Sequence, residues 1–360
     1  MDDKERKIVI FSGGTGGHIY PGIAIAKKLK NLGVKVLWIG TRKGLEATVV
    51  PAEKIEIKFI NFSGVRGKGI RKYLMLPFTL FRAIWQSIKI ISDFKPNLAI
   101  SMGGYIAIPN GIVSIIFRIP IVIHEQNIIY GLSNSMLKIF AHSVILGFPK
   151  KKISEKEIYM GNPIRPSIKI KKISENIEDN KINILVFGGS LGAKKLNKVV
   201  PEAIAIVQKN NKDRYVQVIH QTGSTYDIAV EEYSKYDIKV TLKNFIENMN
   251  EAYNWADIII CRAGAITLSE IMKVGIPAIV VPYPFAADNH QYLNAKFLED
   301  NGALVMIEDN SLSPDVISKY LENIIGNNEL RVSLSRNIQS FSKNNADEDI
   351  ANYLANIIDK

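Results

Sequence analysis

The feature that most constrains how this chain can fold is a pair of glycine-rich loops, one in each half of its 360 residues. Residues 13–18 (Gly-Gly-Thr-Gly-Gly-His) follow the apolar run 8–11, and residues 188–193 (Gly-Gly-Ser-Leu-Gly-Ala) follow the apolar run 184–187. A buried strand that passes through a tight turn into a helix presents backbone N–H groups and the positive end of the helix dipole, which together bind anions. Two such units predict two domains that face each other across a ligand-binding cleft.

Short apolar, β-branched runs alternate with helix-length segments along both halves of the chain. This alternation predicts an α/β protein with parallel sheets joined by right-handed crossovers. Residues 161–180 begin with Gly-Asn-Pro and continue without periodicity, as is typical of a domain boundary. We therefore expect an N-terminal domain at 1–163, a C-terminal domain at 164–340, and a terminal helix at 341–360 that crosses back to the first domain.

Composition excludes several classes of protein. A single cysteine, Cys261, rules out an intramolecular disulfide and a cysteine-based metal cluster. The longest apolar stretch, residues 112–123, is too short to span a bilayer, and no signal peptide is visible at the N-terminus. We expect a soluble or peripheral protein of the cytoplasm. The net charge of +11 favours an anionic partner: a phosphorylated substrate, an anionic lipid or nucleic acid.

The loops do not fit two common nucleotide-binding motifs. The third glycine of a dinucleotide fingerprint would fall at Ile19, and the run 40–43 (Gly-Thr-Arg-Lys) stands where an acidic residue is expected. The second loop lacks the Gly-Lys-Ser/Thr ending of a P-loop. NAD and ATP are therefore disfavoured as ligands. Two interpretations of the glycines remain: close approach of a ligand to the backbone, or packing of a strand against a helix.

His18 lies where the first loop enters its helix. A positive helix N-terminus favours the neutral imidazole, which suits a general base for a substrate hydroxyl; a structural histidine that bonds to the loop is the alternative. Polar residues 124–127 (His-Glu-Gln-Asn) directly follow the apolar run 121–123. Because the carboxyl ends of parallel strands form the ligand-binding edge of such a sheet, this cluster is a second candidate for the site.

A third segment, residues 262–270, has the small residues of an anion-binding turn. Glu270 within it suits hydrogen bonds from a ribose diol, or alternatively an interaction with the helix dipole. An Asp-x-Asp pattern occurs only at 347–349, where helix capping explains it. We expect no metal site and no tightly bound cofactor. A diphosphate leaving group would then be stabilised by backbone N–H groups, helix dipoles and Arg165.

Residues 64–92 contain six basic residues and no Asp or Glu. Four of these cations precede a short apolar tip, a combination that fits a shallow anchor in an anionic membrane leaflet. These candidate membrane residues are Arg66, Lys68, Arg71, Lys72, Leu74, Met75, Leu76 and Phe78. The apolar stripe that follows, at helical spacing over 81–91, is expected to be core. Interleaved aromatic residues and a recognised nucleic-acid-binding fold are both missing, so no nucleic-acid partner is expected.

In their order and spacing, the motifs closely resemble those of the MurG family. Its members are peripheral membrane glycosyltransferases that add N-acetylglucosamine from UDP-N-acetylglucosamine to lipid I, making lipid II for the bacterial cell wall. The resemblance covers nearly the whole chain and rests on the segments 13–18, 103–105, 124–127, 161–165, 188–193 and 262–270. It implies the two-domain GT-B architecture and a position at the cytoplasmic face of the cell membrane. It also raises cell-wall synthesis or division proteins as candidate partners.

The resemblance further implies roles for single residues. The implied donor contacts are Thr15, Gly16, Gly17, Asn127, Arg165, Ser190, Ile246, Ala265, Ile266, Thr267, Leu268, Ser269, Glu270 and Gln291, and the implied acceptor contacts are Gly14, Tyr105, His124 and Glu125. Ile246 would offer backbone groups to the uracil, and Gln291 would contact the sugar. Many relatives have two glutamines where this chain has His290-Gln291. The implied chemistry is inverting transfer, for which we take His18 as the general base.

The sequence leaves other functions open. A non-hydrolysing UDP-N-acetylglucosamine 2-epimerase has a similar two-domain fold but needs no acceptor. A membrane-bound nucleotide-sugar binder without catalysis would keep the loops and lack turnover. Release of UDP that depends on an acceptor distinguishes the transferase from both. A third alternative, a basic nucleic-acid binder, would instead bind random duplex with a steep salt dependence.

Overall fold

A computed structural model describes residues 5–64, 69, 74–150, 152–171, 181–189 and 192–359. Five predicted residues lie outside the described ones, namely Ser190 and the cations Arg66, Lys68, Arg71 and Lys72. The chain divides into two compact units, called here the N-terminal unit (Met1–Ile164 with Lys343–Lys360) and the C-terminal unit (Arg165–Ser342).

The N-terminal unit is built on a parallel sheet with the strand order β3-β2-β1-β4-β5-β6-β7. The strands are β1 (Lys7–Phe11), β2 (Lys35–Gly40), β3 (Glu56–Phe59), β4 (Leu98–Ser101), β5 (Ile121–Glu125), β6 (Ser143–Leu146) and β7 (Glu157–Tyr159). The helices that follow them are α1 (Gly16–Asn31), α2 (Glu46–Ala52), α3 (Leu76–Phe94), α4 (Ala107–Ile116) and α5 (Leu132–Leu137). Parallel strands joined by helices confirm the predicted α/β class.

The strand β1 shows why the central strands are apolar throughout. Ile8 and Ile10 belong to a core cluster shared with α1 and the terminal helix (Ala346–Ile358), whereas Val9 and Phe11 belong to a second cluster shared with α3 and α4. Successive side chains of a strand point to opposite faces, so helices on both faces require apolar residues at every position.

The terminal helix belongs to the N-terminal unit and packs on α1. Ile350 and Leu354 are buried in the core cluster of that unit. The acidic run 347–349 lies in the first turn of the helix, where Nζ of Lys28 is 3.7 Å from Asp347 and 3.3 Å from Glu348. Acidic side chains suit the positive end of a helix, which is the role that the sequence predicts for them. The helix begins at Ala346, later than the predicted start at 341.

The C-terminal unit repeats this design with the strand order β10-β9-β8-β11-β12-β13, again all parallel. The strands are β8 (Lys181–Phe187), β9 (Tyr215–Gln221), β10 (Lys239–Lys243), β11 (Ile258–Cys261), β12 (Ala278–Val280) and β13 (Val305–Met306). The helices are α6 (Lys194–Asn210), α7 (Tyr226–Tyr233), α8 (Met249–Trp255), α9 (Ala265–Val274), α10 (His290–Asp300), α11 (Pro314–Gly326) and α12 (Asn328–Ser340).

In both sheets the strand order reverses beside the first strand, between β1 and β4 in one unit and between β8 and β11 in the other. In open α/β sheets, ligands bind at the carboxyl ends of the strands at this reversal. The two glycine-rich loops follow β1 and β8, and the motif segments 103–105 and 262–264 follow β4 and β11. In each unit, the topology therefore brings the predicted motifs of that half of the chain to one edge of its own sheet.

The apolar stripe of α3 is core along only part of its length, which corrects the expectation from its helical spacing. Ile88 and Ile91 pack on the core, but Phe81 and Trp85 are 72% and 64% exposed. Phe78, in the predicted membrane tip, is 72% exposed. Among the described helices, none is both long enough and apolar enough to span a bilayer.

Gly192→Ala is expected to lower the free energy of unfolding of the C-terminal unit by about 2 kcal/mol or more. Gly192 has φ +78°, and a Cβ at this position would overlap the backbone carbonyl oxygen of Thr222. Because that oxygen belongs to the turn after β9, it cannot move aside as a flexible side chain would. Urea denaturation followed by circular dichroism measures the change.

The matched control is Gly326→Ala. Gly326 ends α11, and nothing lies within 4 Å of a Cβ added there. Alanine is the better helix former, so this variant is expected to be neutral or slightly more stable. Equal destabilisation by the two substitutions would contradict the steric explanation for Gly192.

Candidate active site

The first glycine-rich loop connects β1 to α1 and touches the turn after β4. Gly104 has φ +78°, and a Cβ there would overlap the carbonyl oxygen of Gly13. Only glycine allows two backbone turns to approach so closely. The neighbouring Tyr105 lies beside the loop, with Cε1 3.8 Å from the position of a Cβ on Gly14. The two motif segments, 13–18 and 103–105, thus form one continuous edge of the candidate site.

His18 lies in the first turn of α1 and is half-buried. Its Nδ1 is 2.7 Å from Oε1 of Gln126, which follows β5. The helix begins at Gly16, after Thr15 in an extended conformation, and both Thr15 and Gly17 are exposed. Thr15 and Gly17, two of the predicted donor residues, are therefore accessible to a ligand next to the candidate base, and Gly16 between them is half-buried.

Four N–H groups hold the buried carboxylate of Glu125. Its Oε1 accepts hydrogen bonds from the backbone and side-chain amides of Asn127, at 3.1 and 3.3 Å. Its Oε2 accepts from the backbone of Gly131 and from Nδ2 of Asn134, both at 3.0 Å. These bonds replace the water that a carboxylate loses on burial. Glu125 therefore fixes the loop 126–131, which carries Asn127.

His124 is fully buried and uses both ring nitrogens within the protein. Nε2 is 3.1 Å from the carbonyl oxygen of Gly161, and Nδ1 is 2.9 Å from Nε2 of Gln126. Burial lowers the pKa of His124 to about 4, so the ring is neutral near pH 7.

His124 and Glu125 are both hydrogen-bonded inside the protein and position Gln126 and Asn127. Their contacts with an acceptor stay predictions. Gln126 belongs to the cluster 124–127 that the sequence offers as a site candidate, but no separate contact is predicted for it; in the structure it is the direct partner of His18. The only signal for it in the sequence is its place inside the motif 124–127.

Thr41 supports Tyr105 from the end of β2. Its Oγ1 is 3.3 Å from the hydroxyl of Tyr105 and 2.8 Å from Oε1 of Glu46, which also accepts the Thr41 backbone N–H at 2.9 Å. Glu46 is fully buried. The run 40–43, whose composition disfavours NAD, thus holds Tyr105 against the first glycine-rich loop.

In the C-terminal unit, the structure brings the predicted donor residues Arg165 and Glu270 together. Tyr253 donates its hydroxyl to Oε2 of Glu270 at 2.9 Å, and Nε of Arg165 is 3.7 Å from Oε1. Burial raises the pKa of Glu270, while the Arg165 guanidinium opposes that shift. The side chain of Arg165 is 44% exposed, so its cation faces solvent next to a buried carboxylate.

The start of α9 supplies backbone N–H groups beside this pair. The helix begins after Gly264 in an extended conformation, and N–H groups in a first turn have no partner within the helix, which suits an anion. Leu268 is fully buried, and the hydroxyl of Ser269 donates to the Ala265 carbonyl at 2.9 Å. Ile266 and Thr267 are half-buried and are the more accessible side chains of this turn.

Gln221, which no sequence motif includes, ties the second glycine-rich loop to the predicted uracil segment. It donates to the Gly189 carbonyl at 2.9 Å and accepts the backbone N–H of Ile246 at 2.8 Å. That N–H group is thus bonded within the protein, and the backbone contact of Ile246 with uracil stays a prediction. Gln291, at the start of α10, accepts the backbone N–H of Tyr283 at 2.9 Å.

No group of three or more His, Cys, Asp or Glu side chains suited to a metal ion occurs in the part of the chain that the structure describes.

The chain is similar to known glycosyltransferases in sequence and in structure. Residues 8–146 match the glycosyltransferase family 28 N-terminal domain, and residues 183–352 match the glycosyltransferase family 28 C-terminal domain. A protein of Dechloromonas aromatica (strain RCB) is 40% identical over 317 residues, which are 87% of this chain and 89% of that protein. It is named UDP-N-acetylglucosamine--N-acetylmuramyl-(pentapeptide) pyrophosphoryl-undecaprenol N-acetylglucosamine transferase.

Two solved structures extend the comparison. The crystal structure of Acinetobacter baumannii MurG has a TM-score of 0.85 at 30% identity, over 98% of this chain and 99% of that chain. The UDP-GlcNAc 2-epimerase of Neisseria meningitidis, solved with UDP-GlcNAc bound, has a TM-score of 0.68 at 14% identity, over 98% of this chain and 100% of that chain. The second likeness is one of fold alone.

Acidification is expected to destabilise the N-terminal unit through His124. Its pKa is about 4 in the folded protein against 6.5 for the free side chain, so between these values the unfolded chain takes up a proton that the folded chain does not. The contribution of His124 to the free energy of unfolding is complete above pH 6.5 and is lost as the pH falls towards 4. The total loss is about 3 kcal/mol. Chemical denaturation at a series of pH values measures it.

The comparison that isolates His124 is the variant His124→Asn, which should show a flatter pH dependence than the parent. The exposed His142 provides the control, since His142→Asn should leave the slope unchanged. A slope that is the same in His124→Asn and the parent chain would rule out His124 as its source.

Proposed function

The chain belongs to the MurG family within glycosyltransferase family 28, and from this premise we propose its reaction. It moves N-acetylglucosamine from UDP-N-acetylglucosamine to the 4-hydroxyl of the muramyl sugar of lipid I, with inversion at the anomeric carbon. The products are lipid II, a precursor of peptidoglycan, and UDP. The observation that carries the proposal is 40% identity to a transferase of this name over 87% of the chain.

The 2-epimerase alternative rests on fold alone. The epimerase of Neisseria meningitidis shares the architecture at 14% identity, a level at which the fold is common to many activities. The transferase is therefore the better supported function.

His18 acts as the general base in this reaction. The acceptor's hydroxyl oxygen bonds to the anomeric carbon while the bond from that carbon to the diphosphate oxygen breaks. The hydroxyl proton passes to the imidazole of His18, and UDP leaves with the bonding electron pair. Support comes from the place of His18 at the carboxyl edge of the sheet, on the same edge as Tyr105 and the segment 124–127.

The donor is held mainly by residues of the C-terminal unit, without a tightly bound cofactor. Arg165, the first-turn N–H groups of α9 and the backbone of the second glycine-rich loop meet the diphosphate. Glu270 binds the ribose hydroxyls, and Gln291 contacts the sugar. A cation and aligned N–H groups stabilise the negative charge that develops on departing UDP. The adjacency of Arg165 and Glu270 supports this arrangement.

We also propose that the N-terminal unit binds the cytoplasmic face of the bacterial membrane, where lipid I is anchored. The helix α4 packs against both α3 and α5, and all three contribute to one core cluster on the same face of the sheet. Large apolar side chains are exposed on or beside these helices: Leu74, Met75, Phe78, Phe81, Trp85, Ile116, Phe117, Leu132, Met136, Ile139 and Phe140. Exposed apolar patches of this extent mark interaction surfaces.

The charge of this face favours an anionic leaflet. Arg82, Arg118 and Lys138 lie on or next to α3, α4 and α5, and residues 64–92 contain no acidic side chain. Apolar groups enter the headgroup region while cations pair with lipid phosphates. Proteins of cell-wall synthesis or division remain candidate partners at this surface.

The reaction predicts release of UDP from labelled UDP-N-acetylglucosamine only when a lipid I analogue is present. In His18→Ala, turnover should fall by about 10²-fold or more, because the proton of the hydroxyl has no acceptor. The affinity for UDP, measured by isothermal titration, should change little.

The control is His142→Ala, which removes an exposed histidine outside the site. It should retain the turnover of the parent. Sugar conversion or UDP release without acceptor would contradict the transferase. Loss of UDP affinity in His18→Ala, with turnover at saturation preserved, would make His18 a binding residue.

The membrane proposal predicts that Phe78→Ser/Trp85→Ser binds vesicles containing anionic phospholipid about 10-fold more weakly than the parent, because each side chain contributes apolar area to insertion. Cosedimentation with such vesicles, and with vesicles of neutral phospholipid, measures the loss. The matched control is Tyr215→Ser, an exposed aromatic residue of the C-terminal unit. Unchanged binding of the double variant would refute the assignment of this face.

A further inference from the structure

The orientation of the Gln126 side-chain amide is determined by its surroundings. Nε2 is 3.0 Å from the carbonyl oxygen of Met102, a group that can only accept a hydrogen bond. A flipped amide would place oxygen against oxygen there, so the nitrogen must point to Met102. The second hydrogen of Nε2 faces two acceptors, Nδ1 of His124 at 2.9 Å and the carbonyl oxygen of the same residue at 3.2 Å, of which Nδ1 is the nearer. Oε1 is left facing Nδ1 of His18 at 2.7 Å.

The position of the ring hydrogen of His124 follows independently from the contact of its other nitrogen, Nε2. Nε2 of His124 is 3.1 Å from the carbonyl oxygen of Gly161, again a group that only accepts, so Nε2 carries the hydrogen. A neutral imidazole with its hydrogen on Nε2 has a lone pair on Nδ1, which is what the amide of Gln126 requires. The two assignments agree although they start from different carbonyl groups.

The chain of bonds then ends at His18. Because Oε1 of Gln126 is an acceptor, Nδ1 of His18 must donate, and the neutral ring keeps its lone pair on Nε2. Within the described residues, Nε2 of His18 has no hydrogen-bond partner. The same ring therefore has one nitrogen committed to the protein and one available to a substrate hydroxyl.

The connecting groups are held rigidly. Gln126 is 2% exposed and His124 is fully buried. The carbonyl of Gln126 accepts a hydrogen bond from Nδ2 of Asn162 at 3.0 Å, and Gly161 has φ +83° against the side chain of Lys343. Buried polar groups with all partners in place hold a single arrangement. This gives the Gly161-Asn162 motif a physical role.

We propose that Gly161, His124 and Gln126 form a hydrogen-bond relay that fixes the tautomer of His18, so that Nε2 is the atom that takes the acceptor's proton. Gln126 and His124 are positioning residues in this relay, since neither faces the substrate. The inference rests on the proposed role of His18 as general base and adds the means by which the correct tautomer is maintained.

Nitrogen-15 NMR of the full chain, labelled at histidine, tests the relay without any substitution. In the parent, the His18 ring should show a protonated Nδ1 and an unprotonated Nε2, and the His124 ring should show the reverse. His18→Ala and His124→Asn assign the signals among the five histidines. A His18 ring with its hydrogen on Nε2 would overturn the proposal.

Kinetics of Gln126→Leu test the consequence. Leucine fills a similar volume but accepts no hydrogen bond, so the tautomers of His18 should mix and kcat should fall about 10- to 100-fold. The KM for UDP-N-acetylglucosamine should stay unchanged, because the relay does not touch the donor. The matched control is Gln208→Leu, which removes a glutamine with both amide atoms bonded in the C-terminal unit and should leave kcat unchanged.

A pair of variants tests the bond between Nδ1 of His124 and the amide of Gln126. In His124→Asn, the side-chain oxygen can replace Nδ1 as the acceptor from Gln126, whereas His124→Leu cannot accept at all. The proposal expects higher kcat and a better defined His18 tautomer in His124→Asn than in His124→Leu at equal stability. Equal kcat in the two variants would overturn it.

Failure of the relay and failure of the proposed base remain distinguishable. If His18→Ala loses turnover while Gln126→Leu keeps both kcat and the parent tautomer, the relay is wrong and the base assignment stands. If His18→Ala keeps full turnover, the base assignment is wrong, and the NMR spectra still decide whether the relay sets the tautomer.

Discussion

The candidate site in the N-terminal unit depends on one close contact, between the turn that follows β4 and the carbonyl of Gly13 after β1. A side chain at Gly104 would separate the two turns. With the turns in contact, Gly103 lies against the His18 ring, 3.3 Å from Cε1 to the position of a Cβ, and the Met102 carbonyl reaches the amide of Gln126. A steric constraint on the backbone therefore sets the positions of the polar groups.

Both units use the same topology for different chemistry. Each places its motifs where the strand order reverses, because that point leaves a gap at the carboxyl edge of a parallel sheet. In the N-terminal unit the edge carries neutral donors and acceptors around His18, while the C-terminal unit places the Arg165 cation beside the buried carboxylate of Glu270. The first set suits transfer of a proton, and the second suits a charged diphosphate and a diol.

Buried polar groups give this site its rigidity. Both oxygens of the buried Glu125 carboxylate accept hydrogen bonds from backbone and side-chain N–H groups, and His124 is neutral because burial lowers its pKa. Such groups are costly to bury, and a complete set of partners offsets that cost only in one arrangement. By contrast, the face of α3 to α5 leaves large apolar side chains exposed, which is unfavourable in water alone and suits an apolar neighbour.

Features that depend on local chemistry can be predicted from the residues alone. Apolar runs, turn glycines and helix starts predict the strands, the loops and the α/β class, because strand periodicity and tight turns are set by neighbouring residues. Which side chains are exposed to a ligand or a membrane depends on packing between distant segments, which the sequence does not show. Helical spacing shows that Phe81 and Trp85 share an apolar face, but not that the face is uncovered. A position at the end of β5 predicts a site for His124, yet in the structure its ring is fully buried and hydrogen-bonded to Gly161 and Gln126. Gln126 and His18 are 108 residues apart, so only the fold could pair them.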